Sequence, residues 1–271
     1  MWLFIVESPY SITMEQWQDQ GIVLSVRPHG ENGGVVSLLT RDHGRHAGYV
    51  RGARSSKMRG TLEAGNVVDA AWQARVSDEL GSYTLELSQS LAAHIMQDPL
   101  RLGALQAACG LCDQALPERE GHSGLFYGLN ALFETLQSDV WASAYVMWEI
   151  ALLKELGFSL DLSACAGGGD VGDLAYVSPK TGRAVSRAAG EIYKERLLHL
   201  PDFLKKSRGG GDPADVLTGL DLTGYFLEHW VFAHHTQGIP TQRLRFYERF
   251  AKTVATQTAS HHIEEESYVA R

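Results

Sequence analysis

The chain has 271 residues, 44% hydrophobic and 21% charged, with a formal net charge of −8. This balance excludes a disordered tail or a fibre, and it makes a uniformly polyanion-binding surface untenable. The length suggests two domains, no apolar run reaches the ~18 residues of a membrane span, and the three cysteines (Cys109, Cys112, Cys165) are too few for a disulfide framework and read as a reducing cytoplasm.

Residues 1–13 read as an extension upstream of a natural start at Met14, with an extra strand as the alternative. Over residues 14–92, five short apolar runs separated by turn signals predict a small barrel: 21–26, 35–40, 48–50, 66–72 and 82–87. Glu31-Asn32-Gly33-Gly34 reads as the hairpin loop joining the first two. Within this region, Arg41, Arg45, Arg51, Arg54, Lys57 and Arg59 stand against one acid, Asp42, and are interleaved with glycines. Six cations on turns of an otherwise acidic chain are the footprint of a phosphate-backbone binder; a solvated surface is the competing reading.

From about residue 93 the period becomes helical. Asp98-Pro99 marks a helix start, and apolar stripes run through Leu100–Cys112, Leu125–Leu136 and Trp141–Leu156, the last closed by Gly157. Residues 158–190 are loop-rich. Asp212-Pro213 starts another helix, Thr241–Thr253 a last basic one, and residues 256–271 read as a flexible tail. Local basic groups in this half are Lys205-Lys206-Ser207-Arg208 and Arg243-Leu244-Arg245.

Three short matches to catalytic or cofactor motifs fail on context. Gly167–Gly172 fits G-x-G-x-x-G but lies in a loop before a strand, where a dinucleotide needs strand then helix. Cys109 and Cys112 fit C-x-x-C but fall inside a helix, as core residues. Gly121-His122-Ser123-Gly124-Leu125 lacks the last glycine of a nucleophile elbow. No active site is visible, and a non-enzymatic protein without cofactor is expected.

The order of four segments resembles the RecO family of bacterial recombination mediators. They are Met14–Leu24 (M-E-x-W-x-D-x-G-I-V-L), Gly52–Lys57, Glu149–Phe158, and Cys165-Ala166 followed by Tyr176–Gly182. The resemblance covers about residues 14–250. It implies an α+β multidomain chain: an N-terminal five-stranded OB-fold barrel, then a mostly α-helical domain over 93–255 carrying a zinc-ribbon-like loop at 158–190. It further implies a cytoplasmic, nucleoid-associated protein that binds single- and double-stranded DNA and anneals strands. With RecR it would help RecA displace single-strand-binding protein (SSB), whose C-terminal tail it would capture. Many relatives carry four cysteines in the loop as a zinc site. Only Cys165 stands here, so the loop is expected to be metal-free.

On that fold, phosphate contacts would come from Arg41, Arg45, Arg51, Arg54, Lys57, Arg59 and Arg75, with Tyr49 and Trp72 as stacking candidates, although Trp72 fits a barrel core equally well. An acidic, aromatic-ended SSB tail needs an apolar pocket and a cation, for which Trp148, Lys154, Arg243 and Arg245 are candidates. The rival class is a non-catalytic protein-interaction adaptor without intrinsic DNA binding; a redox or nucleotide-dependent enzyme is a third.

Overall fold

The computed structural model describes residues 14–76, 79–205 and 210–269. The extension at 1–13 and the basic residues 206–208 lie outside the described residues.

Five strands close into a barrel in the order β1-β2-β3-β5-β4. They are β1 (Glu15–His29), β2 (Gly33–Thr40), β3 (Gly44–Val50), β4 (Val67–Ala74) and β5 (Ser82–Gln89). β1 is much longer than the 21–26 run that signals it. Its first half alternates polar residues outward (Gln16, Gln18) with Trp17, Asp19 and Gly21 turned inward, and pairs Glu15–Ile22 with β4. Its second half, past a register shift between Val23 and Ser25, pairs with β2. Closure comes at a parallel contact of β3 with β5, reduced to the single pair Tyr49–Ser82. A short helix, α1 (Ser56–Thr61), lies between β3 and β4, with the Ser55 hydroxyl accepting from the Met58 amide. The sequence pattern predicts only turns there.

The rest is helical around a small sheet. α2 (Ala92–Ile95) leads into α3 (Pro99–Ala115), whose start is capped by Asp98 accepting from the Leu100 and Arg101 amides. α4 (Ser123–Thr135) and α5 (Trp141–Glu155) follow, and α5 ends at Gly157 in the left-handed region, φ +87. The loop-rich segment 158–190 contains the expected strand β6 (Leu174–Val177) and also β7 (Ala184–Ser186) and α6 (Arg187–Gly190); with β8 (Leu198–His199) beyond it, the strands are ordered β7-β6-β8. α7 (Pro213–Phe226) is capped by Asp212 and runs into a single π turn, Leu227–Val231. α8 (Thr241–Val269) stays helical well past Thr253, the end expected from the sequence, and through most of the expected tail.

The barrel interior is filled by Val23, Val36, Leu38, Val68, Trp72 and Tyr83, among others. Ile22, Leu24, Leu39 and Val67 point the other way and join the core of the helices instead. There α3 presses on the barrel so closely that a Cβ at Gly65 would sit 2.6 Å from Leu105. Deep between α5, α7 and α8, Arg243 donates to both carboxylate oxygens of Glu149 at 3.0 and 3.1 Å and to the Leu220 carbonyl at 2.7 Å. The Thr223 hydroxyl donates to the same carboxylate.

Candidate nucleic-acid interface

Contiguous in sequence, the basic segment is divided in space. Arg41 sits on the β2–β3 turn, pairing with Asp42 at 2.9 Å and Asp19 at 3.5 Å; hydrogen bonding to Asp42 raises its pKa further above the ordinary value. Arg45, on β3, donates to the Leu116 carbonyl at 2.7 Å and to Glu118 at 3.2 Å. Its side chain is only 14% exposed, so Arg45 is a tether between barrel and helices rather than a free phosphate contact. The seven residues of β3 separate the turn bearing Arg41 from Arg51 by roughly 20 Å at ~3.3 Å per residue. Arg51, Arg54, Lys57 and Arg59 are exposed beyond that strand. Arg54 donates to the Glu31 carbonyl at 3.1 Å, docking on the β1–β2 loop. Arg51, Lys57 and Arg59 have no side-chain partner among the described residues.

At that end lies a hollow of about 480 Å³ lined by Arg27, Pro28 and His29 of β1, Val35 of β2, Ala47 of β3, Leu80 of the β4–β5 loop, and Glu118 and Arg119, so that one carboxylate stands among its cations. In OB barrels the face of strands 2 and 3, between the β1–β2 and β4–β5 loops, is where oligonucleotides bind. Tyr49 is beside it, half-buried, its ring over Gly33 and edge-on to His29 at 6.0 Å. Arg75 is exposed at the root of the β4–β5 loop. Sequence reasoning does not find Arg27, His29 or Arg119. The first two alternate outward at the end of a strand longer than its apolar run, and Arg119 comes from the α3–α4 connection.

Trp72 does not reach this surface. It is 2% exposed, and its indole N–H donates to the Leu80 carbonyl at 3.1 Å. Around it gather Trp17, which stacks on His43 at 4.1 Å, and His46 and Tyr83. Burial, reinforced by the Arg119 charge, pushes the His46 imidazole down to about 4.

The partner candidates also divide. Arg243 is 3% exposed with its guanidinium committed to Glu149, and Trp148 is 5% exposed in the helical core, so neither presents itself to a partner. Lys154 on α5 and Arg245 on α8 are exposed, and Leu244 beside Arg245 is 45% exposed. Cys109 and Cys112 are buried on α3, and burial drives both thiols well above their ordinary range. Gly167–Gly172 runs into a 3-10 turn, Val171–Asp173, and then β6, with no α-helix N-terminus to hold a pyrophosphate. Cys165 accepts from the Ser186 amide at 3.2 Å and lies 3.5 Å from its hydroxyl, contacts that hold the thiol down at about 7. One sulfur facing a serine does not fit a tetrahedral zinc site, and no group of three or more His, Cys, Asp or Glu converges among the described residues. Nor is any described helix long and apolar enough to cross a membrane.

Two family models match in tandem: residues 14–91 match the one described as recombination protein O N terminal, and residues 96–237 the one described as recombination protein O C terminal. Among similar curated proteins, one from Rhodospirillum centenum is 53% identical over 243 residues, covering 89% of this chain and 97% of the relative. One from Rhodospirillum rubrum is 48% identical, covering 88% and 98%, and one from a Caulobacter species is 45% identical, also covering 88% and 98%. Each bears the name DNA repair protein RecO.

Proposed function

The chain belongs to the RecO family of DNA repair proteins, and on that premise we propose that it is a non-enzymatic, cytoplasmic, nucleoid-associated mediator that binds single- and double-stranded DNA in the barrel groove. It then promotes strand annealing and, with RecR, helps load RecA onto SSB-coated DNA. The observation that carries the DNA reading is the gathering at one barrel end of a ligand-sized hollow lined by Arg27 and His29, with Tyr49 edge-on to His29 and Arg54 docked on the neighbouring β1–β2 loop beside the exposed Arg51. Phosphates meet the arginines, with Lys57 and Arg59 on α1 extending the track, while a base stacks on Tyr49, an interaction worth ~1–3 kcal/mol. Lys154 and Arg245 are the cations offered to the acidic SSB tail.

The test is binding of a single-stranded oligonucleotide against salt. Four phosphate contacts give a log–log slope near −3, at about −0.7 each. Arg51→Ala, Arg54→Ala and Lys57→Ala combined flatten it toward about −1 and weaken all sequences alike. Unaltered binding of the triple variant at low salt removes the groove assignment. Absence of DNA binding by the wild-type chain, with intact capture of an SSB-tail peptide, favours the adaptor reading. Loss of tail binding in Lys154→Ala or Arg245→Ala, both folded, places that second contact.

A further inference from the structure

Leu80 lines the hollow, and the three consecutive carbonyls of Glu79, Leu80 and Gly81, which make this wall of the groove, are each held by a different element. Gly81 accepts from the Tyr49 amide of β3 at 3.1 Å. Leu80 accepts from the Trp72 indole of β4 at 3.1 Å. Glu79 accepts from the Arg119 guanidinium at 2.6 Å. The first two donors belong to the barrel. Arg119 belongs to the α3–α4 connection of the helical domain.

That connection lies along the open edge of β3 like a strap. The Arg119 amide donates to the Arg45 carbonyl at 2.8 Å, and Arg45 and Glu118 form a parallel bridge. Arg45 in turn donates to Leu116 and Glu118. At the strap's far end the backbone is so close that a Cβ at Gly44 would lie 1.7 Å from the Glu120 carbonyl. The guanidinium of Arg119 stands over the Trp72 ring, 5.9 Å from its centroid. Arg119 is also the one non-glycine residue with positive φ, 62°, among the described residues. Strain of this kind persists only where surrounding contacts over-determine it, and it concentrates at functional sites.

We infer that residues 116–120 are a strap by which the helical domain sets the width of the nucleic-acid groove, with Arg119 as the positioning residue for Glu79–Gly81, the segment leading into β5. The inference rests on the groove reading above. It adds that this wall is held in part from outside the barrel, at Glu79. An event at the helical domain that shifts the α3–α4 connection moves Glu79 and Leu80 with it.

The test uses Arg119→Gly in the full chain. Glycine suits the φ of 62°, so the strap backbone is kept while the whole Arg119 side chain is removed. Without DNA, amide exchange at Tyr49, the donor to Gly81, is expected to rise about tenfold while amides of α3 and α5 stay protected. With DNA, affinity is expected to fall about tenfold at unchanged salt slope, since no phosphate contact is removed. Arg119→Lys, which still carries a donor, stays within about threefold of wild type in both measurements. An unchanged Tyr49 amide in Arg119→Gly overturns the inference. So does a slope smaller by about 0.7, which would make Arg119 a direct phosphate contact. If the wild-type chain does not bind DNA, the groove reading fails, while the exchange measurement still decides whether the strap positions the loop.

Discussion

Arg243 in the helical domain and Arg51 at the groove carry the same charge in opposite surroundings. Arg243 projects from α8 against α5 and α7, where Glu149 and the Leu220 carbonyl accept from its Nε and Nη2. Arg51 is exposed and without a side-chain partner among the described residues. In water the exposed charge costs little and leaves its donors available. Deep in the bundle a charge is tolerated only with a partner, and removing either partner strands the other. Basic residues in this chain therefore include some that hold the fold and others left in solvent, to which the proposed function gives DNA, and stability measurements separate the two sets.

The largest effect is expected at the buried pair. Arg243→Ala or Glu149→Ala loses about 3–5 kcal/mol in urea unfolding, and the double variant loses less than the sum of the two. A loss within about 1 kcal/mol for either single variant would erase the contrast with Arg51.

His46 tests the barrel side through pH. Its folded value is about 4 against an ordinary 6.5, so the folded form holds the neutral ring. Below pH 6.5 the unfolded chain takes up the extra proton first. Stability is therefore complete above pH 6.5 and declines as pH falls toward 4, by roughly 1–3 kcal/mol in all. The decline should be shallower in His46→Gln; an identical curve would show that other groups carry it.

Arg45 is intermediate. Arg45→Ala gives up the bonds to Leu116 and Glu118 and is expected to cost about 1–2 kcal/mol with no change in the DNA salt slope. A flattened slope would move Arg45 into the ligand-facing set. Least change is expected from Arg51→Ala and Lys57→Ala singly. Stability stays within about 0.5 kcal/mol, while the slope shortens by about 0.7 for each phosphate that no longer meets a cation. A folding defect in either would show that it, too, serves the architecture.

The barrel and its neighbours were legible because alternation in runs such as Val67–Ala74 and periodicity in stretches such as Trp141–Glu155 are local signals. α1 was not: six residues ending near Gly60, with one serine cap, give too little periodicity to separate a helix from a turn. The basic segment looks like a single patch because sequence proximity hides the length of β3 lying between Arg41 and Arg51. Arg243 looks like a surface cation in RLRFYERFAK, because the carboxylate that buries it lies 94 positions away. The same holds for Arg45, whose partners Leu116 and Glu118 come from the α3–α4 connection. The role of Arg119 has no local signal, since a left-handed backbone at a non-glycine residue is imposed by contacts rather than by residue type.

Ile22, Leu24, Leu39 and Val67 belong to the barrel strands by chain position and to the helical core by packing. This has a consequence for the order of events at the ribosome. The barrel strands emerge first, yet their outward apolar residues have no cover until α3 and the helices behind it have left the exit tunnel. The nascent chain therefore carries an uncovered apolar face for the time needed to make the rest of the protein, several seconds or more at ~5–20 residues per second. A fragment released after residue 91 would keep that face permanently and is expected to recover mainly in the insoluble fraction, whereas the full chain, with that face covered, is expected to stay in solution.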